Sequence, residues 1–330
     1  MAHRKSMKIQ PAITDLSYTI PAGGTFGNAS YIDTARSLSR INRRLYEQGR
    51  MVAYQGLTFI WRQSNNGASP PVPIDISVIE IKVQTAGNTW VVQNSFVKGK
   101  ALWDQMQDLV LDDNPSVKGK WHDFKLALEY TMTAGRMLNV KDGAGVDILA
   151  GEWDLATYVM PQHEVDPATG QPLAADEFTA TLIGIDSTGT RSLVKAYEDS
   201  RAMVQEAPLT PGGMGTSFFS LLTDTGSQEP ELADVIEEEN NYPPYDISNY
   251  VGSGVNGVNP VTVGYAATSA AEVDGRIGPF VAPCGLLKIE VNGYDSVGNL
   301  VDTDDMPDID IILHVAPGMY KGVAAIPMGQ

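Results

Sequence analysis

IDISVIEIKVQ, residues 74–84, places an apolar side chain at every second position: Ile74, Ile76 and Val78, then, after a change of phase at Ile79, Ile81 and Val83. Period-two alternation is the pattern of a strand with one buried face, so this stretch predicts β-structure. Upstream, VAYQGLTFIWR (52–62) is rich in β-branched and aromatic residues and predicts another strand, with Gly56 marking a bulge. SNNGASPPVP (64–73) reads as the loop between them. Downstream, DFKLALEYT (123–131) alternates again. EWDLATYVM (152–160) and EFTATLIGI (177–185) read as a hairpin pair around the turn-forming DPATGQP. PVTVGYAAT (260–268), GLLKIEVNGY (285–294) and DIDIILHVAP (308–317) complete the strands. TWVVQNSF (89–96) reads as a strand extension before KGKALWDQMQDLVL (98–111), whose Leu102, Met106, Leu109 and Val110 have helical spacing. TRSLVKAYEDSRAMVQ (190–205) predicts a second inserted helix.

Roughly eight or nine strands without regular intervening helices predict an all-β fold, a single antiparallel jelly-roll β-sandwich. No composition break and no internal repeat divides it. The sandwich is expected over residues 51–330, with short inserted helices and a long loop insertion over about 207–257. Residues 1–50 read as an N-terminal arm and a short basic helix. The arm is expected to be extended through residue 30, and the helix to begin at Asp33 or Thr34 and end near Gly49.

The charge is divided unevenly. The chain carries −17, yet its first fifty residues hold eight Lys/Arg against three Asp/Glu, a surplus of +5, so the remaining 280 residues carry −22. The cations are Arg4, Lys5, Lys8, Arg36, Arg40, Arg43, Arg44 and Arg50. Arginine suits bidentate phosphate contact, and it equally suits pairing with acids of a neighbouring subunit. An ordinary amphipathic helix with a solvated charged face is the third reading.

Composition bounds the function. A 43% hydrophobic, 19% charged chain of 330 residues is that of a folded globular protein. No apolar run approaches the roughly 20 residues of a membrane-spanning helix, and the start lacks the apolar core of a secretory signal. The lone Cys284, between Pro283 and Gly285, reads as a small buried residue. His163, Glu164 and Asp166 lie in the expected turn, His122 and Asp123 point to opposite faces of a strand, and His314 sits within one. With no GxSxG, P-loop, HExxH or CxxC motif, the chain does not read as an enzyme. Asp302, Asp304, Asp305, Asp308 and Asp310 place five carboxylates in nine residues, and Glu237, Glu238 and Glu239 add three. Ca²⁺ favours such oxygens, so Asp302, Asp304, Asp305 and Asp308 are candidate ligands of a structural cation. The competing reading is a solvated loop, because the glycine and terminal glutamate of an EF-hand are missing. The tryptophans at 61, 90, 103, 121 and 153 read as core rather than as a glycan-binding platform.

Several strings taken together resemble the capsid proteins of environmental circular, Rep-encoding single-stranded DNA (CRESS-type) viruses. They are YIDTARSLSRINRRLYEQG (31–49), TWVVQNSFVKGKALWDQM (89–106), PSVKGKWHDFK (115–125), AGEWDLATYVMP (150–161), EEENNYPPYD (237–246), APCGLLKIEV (282–291) and HVAPGMYKGVAAIPM (314–328), in this order along nearly the whole chain. The resemblance implies a jelly-roll coat protein of the virion. Many copies would assemble into an icosahedral shell around a circular single-stranded DNA genome, with the 31–49 block near the inner face. Unlike many members of that group, this chain has only Arg4, Lys5 and Lys8 ahead of its helix. At +5 per copy, a shell of about sixty copies supplies roughly 300 charges. That is well short of the phosphates of a genome of about two thousand nucleotides, so other cations must neutralise most of them. A carbohydrate-binding β-sandwich and the double jelly roll of tailless phage coats are the alternatives.

Overall fold

A computed structural model of the chain describes residues 11–21, 29–61, 76–113, 115, 123–149, 151–159, 168, 177–187, 189–200 and 260–328. Its strands are β1 (Asp15–Ile20), β2 (Ala29–Asp33), β3 (Met51–Trp61), β4 (Val78–Thr85), β5 (Thr157–Val159), β6 (Glu177–Thr181), β7 (Thr190–Ser192), β8 (Val261–Ser269), β9 (Asp274–Ile277), β10 (Phe280–Ala282), β11 (Leu286–Tyr294), β12 (Ile309–Val315), β13 (Pro317–Tyr320) and β14 (Ala325–Ile326). Its helices are α1 (Thr34–Asn42), α2 (Trp90–Asp113) and α3 (Leu193–Ser200).

The fold is mostly β, built on antiparallel sheets with a curled half-barrel. One sheet runs β1-β12-β3-β10, with β9 and β14 also on β3, and a second runs β2-β11-β4-β8. Together β9 and β10 are one interrupted strand along β3, pairing Leu57 with Ile277 and Tyr54 with Phe280 on either side of the bulge. Counted that way, the first four strands pair in reverse order with the four that run from β8 to β12: β1 with β12, β2 with β11, β3 with β9/β10, and β4 with β8; β13 and β14 follow them.

Alternation explains why the two sheets close on each other. Leu16, Tyr18 and Ile20 of β1, Leu57, Phe59 and Trp61 of β3, and Ile309, Ile311 and Leu313 of β12 point inward from the first sheet. Ile79, Ile81 and Val83 of β4 and Leu287, Ile289 and Val291 of β11 meet them from the second. Each such side chain contributes about 1.5–3 kcal/mol on burial. Trp61 is fully buried and donates its indole N–H to Thr268 Oγ1 at 3.0 Å, and Trp103 is also buried, so both serve the core. The register shift expected at Gly56 is present, opposite His314 and Val315, with Gly56 at φ 136. In that conformation a side chain is strained, and a Cβ there would run into Ile277 O.

Four expectations are corrected. Residues 15–20 are no extended arm: they form a six-residue register with β12, and Leu16 and Tyr18 are buried. Residues 89–96 do not extend a strand. They begin the 24-residue α2, because Val91, Val92, Phe96 and Trp103 fall on one helical face and bury together. The buried face of α2 is thus not the expected one; Leu102 and Leu109 are exposed. Residues 123–131 form no strand: only Ala127 makes an isolated parallel bridge, to Thr181, Leu126 is held by the Gln48 side chain, and residues 128–131 bend into a turn closed by Met132 N to Glu129 O at 2.9 Å. The basic helix stops at Asn42, well before Gly49.

Everything from residue 86 to 260 lies between β4 and β8. Its described part builds a second core from α2, residues 124–128, α3 and the three-stranded sheet β5-β6-β7. The expected pairing of 157–159 with 177–181 is antiparallel, as in a hairpin, whereas β7 joins β6 in parallel. Tyr31 of β2, Cys284 and Leu286 of β11 extend this second core to the β2-β11-β4-β8 sheet. Cys284 is buried, as expected, at φ 57 in a tight turn, and burial pushes its thiol pKa up, away from the reactive thiolate. The segments 64–73 and 207–257, with Trp121, His122, His163 and Asp166, lie outside the described residues.

Candidate nucleic-acid interface

The basic block is held by a buried carboxylate. Asp33 ends β2 and N-caps α1, accepting from Arg36 N at 3.0 Å through Oδ1. Such a cap is worth about 1 kcal/mol. Its second oxygen accepts from Gln48 Nε2 and from Trp153 Nε1, both at 2.8 Å. Gln48 also clamps the main chain of Leu126, donating to its carbonyl at 2.9 Å and accepting from its N–H at 2.8 Å. Burial raises the Asp33 pKa above the ordinary carboxylate range; the hydrogen bonds and Arg36 pull it back only in part.

The early end of α1 follows from local chemistry. Asn42 exchanges two hydrogen bonds with the Ile13 backbone, at 2.7 and 3.0 Å. Arg43 then takes a left-handed conformation at φ 53, and the Tyr46 N–H returns to Ser39 Oγ at 2.9 Å. Segment 136–149 runs beside the helix, anchored by Leu138 N to Tyr31 O and Lys141 N to Ser17 O, each at 2.8 Å.

The predicted cations therefore have different fates. Arg36 is only 7% exposed. Its guanidinium donates to Leu138 O at 3.3 Å and Asn139 Oδ1 at 2.9 Å, which withdraws it from the surface and makes it a structural residue. Arg40 is half-buried, bonding Asn139 Oδ1 at 3.0 Å and Ile148 O at 3.3 Å. For both, burial lowers the pKa, though an arginine stays charged. Arg44 donates to Pro11 O at 3.1 Å. Arg50 begins the run into β3, its N–H bonded to Ile326 O at 2.7 Å. Arg43 is exposed and, among the described residues, makes no hydrogen bond or ion pair. Arg4, Lys5 and Lys8 lie outside the described residues.

Between α1 and residues 148–153 runs an open groove of about 530 Å³, with Arg40 and Arg43 on one side and Ile148, Leu149, Glu152 and Trp153 on the other. Lys125 Nζ sits 5.1 Å from the centre of the Trp153 ring, a cation–π contact. The groove thus joins a cation to an apolar, partly aromatic wall. Reading the chain linearly missed Trp153, Ile148 and Leu149 as its partners. The only signal was Trp153 inside the AGEWDLATYVMP block.

The acidic cluster is not assembled. Asp302, Asp304, Asp305 and Asp308 are exposed, and Asp302 accepts from Asp304 N at 3.4 Å within a local turn. Among the described residues no three carboxylate, imidazole or thiol groups stand where they share a cation. His314 bonds Asp15 Oδ1 at 2.8 Å and Thr58 Oγ1 at 3.1 Å across β1, β12 and β3. Set against protein-family models, curated proteins and solved structures, the chain finds no match in any of the three.

Proposed function

We propose that the chain is a viral coat protein: a single jelly roll that assembles in many copies into an icosahedral shell enclosing a circular single-stranded DNA genome in the virion. The observation that carries this reading is the reverse-order pairing of β1, β2, β3 and β4 with β12, β11, β9/β10 and β8, giving the sheets β1-β12-β3-β10 and β2-β11-β4-β8. A long antiparallel ribbon rolled once on itself has that order, and this is how a jelly roll is wound. The ordered block resemblance and the basic surplus of the first fifty residues support the same reading. Among the described residues one pair of facing sheets shares a core, which favours the single over the double jelly roll, and the burial of Trp61 and Trp103 speaks against a glycan platform.

The test is assembly. Purified protein at micromolar concentration should form uniform closed particles by negative-stain microscopy. Sedimentation at 35.5 kDa alone, across salt and pH, would overturn the reading.

A further inference from the structure

We propose that the groove between α1 and residues 148–153 seats one nucleotide of a single-stranded DNA chain, with Arg43 on the phosphate and Trp153, Ile148 and Leu149 against the base. The inference deepens the coat-protein reading and rests on it. Three observations carry it. First, the groove, about 530 Å³, has room for a small molecule and sets Leu45, Ile148, Leu149 and Trp153 beside Arg40, Arg43 and Glu152. Second, Arg43 reaches it uncommitted among the described residues, while Arg36, Arg40 and Arg44 spend guanidinium hydrogen bonds inside the protein. Third, Leu149 is 66% exposed and Leu45 51%, so the rim beside Arg43 is apolar and open.

Chemistry selects the occupant. A base offers a flat apolar face to an aromatic and aliphatic wall, and single-strand sites use that stacking without reading sequence. The phosphate beside the base supplies the anion for Arg43, whose planar fork matches it. An inorganic anion would leave the apolar wall unused. A second copy of the chain, net acidic overall, would also offer carboxylates to Arg43, and the particle readout separates that occupant from DNA.

The experiment compares wild type with Arg43→Gln and Leu149→Glu, both at exposed positions where folding is not at stake. Binding of a fluorescent oligodeoxythymidylate is measured between about 50 and 200 mM salt, and particle formation is followed by microscopy in parallel. Each variant should bind at least about fivefold more weakly, and Arg43→Gln should flatten the log–log salt slope by about 0.7. DNA should quench tryptophan emission in wild type and much less in Trp153→Phe. The mononucleotide dTMP should compete, and inorganic phosphate at equal concentration should not. Equal competition by phosphate would overturn the base contact. Wild-type affinity in both variants, with particles intact, would overturn the groove and leave the coat-protein reading standing. Lost particles with oligonucleotide binding retained would instead identify the groove as a contact between copies. No strand binding by wild type that forms normal shells would overturn both the groove and the DNA part of the function.

Discussion

The indole N–H of Trp153 donates to the carboxylate of Asp33 at 2.8 Å, joining residues 120 apart in sequence. One oxygen of that buried group holds the groove wall and the Gln48 clamp, and the other caps α1. Asp33→Ala would remove the cap and orphan two donors, so it should lower the unfolding free energy by about 3 kcal/mol. Asp33→Asn should cost less, since its amide oxygen can still cap the helix. Urea unfolding of the two variants checks the order, and a loss under about 0.5 kcal/mol for Asp33→Ala would refute the hub.

Arg36 and Arg43 should separate by phenotype. Arg36→Ala leaves the Leu138 carbonyl without its guanidinium donor and Asn139 with Arg40 alone, and it is expected to cost about 1–3 kcal/mol of stability. Where the protein is still folded, its oligonucleotide affinity should stay near wild type. Arg43→Gln should do the reverse, with stability changed by less than about 0.5 kcal/mol. Paired denaturation and binding curves decide this.

Gly56 at φ 136 carries the bulge that lets β3 serve β12, β9 and β10. Gly56→Ala puts a Cβ against Ile277 O in a backbone conformation that side chains avoid. A loss of more than about 2 kcal/mol in unfolding free energy is expected. The same change at Gly143, whose added Cβ meets nothing, serves as the control.

Glu80 sets an acid limit on the second sheet. Burial alone would raise its pKa, but Lys82 at 3.1 Å, Tyr294 at 3.0 Å and Asn292 at 3.3 Å outweigh it and hold the carboxyl below its usual range. A lowered folded pKa means stability that is present above the unfolded value near 4.3 and lost as pH falls through the folded value. The advantage of wild type over Glu80→Gln should therefore be full at pH 7 and fade below about pH 4, read from urea midpoints at each pH. An advantage that did not change with pH would refute the assignment.

Much of the fold was legible because its causes are local. Alternation over a few residues marks β3, β4, β8, β11 and β12, since each inward side chain needs only its own strand's pleat. The Asp33 cap and the Gly56 bulge are likewise set by neighbours in sequence. By the same rule β1 was legible in Leu16, Tyr18 and Ile20, although the Pro and Gly residues after it suggested an arm. Tertiary structure decided what local preference cannot. Val91 and Val92 sit in a helix because burying one face with Phe96 and Trp103 outweighs a weak β-propensity. Arg36 became structural, and Arg43 makes no hydrogen bond among the described residues, because Asn139 and the Leu138 carbonyl lie across from one and not the other. The groove exists only where residues 39–45 meet residues 148–153, a contact between segments about a hundred residues apart, and no period within either segment encodes it.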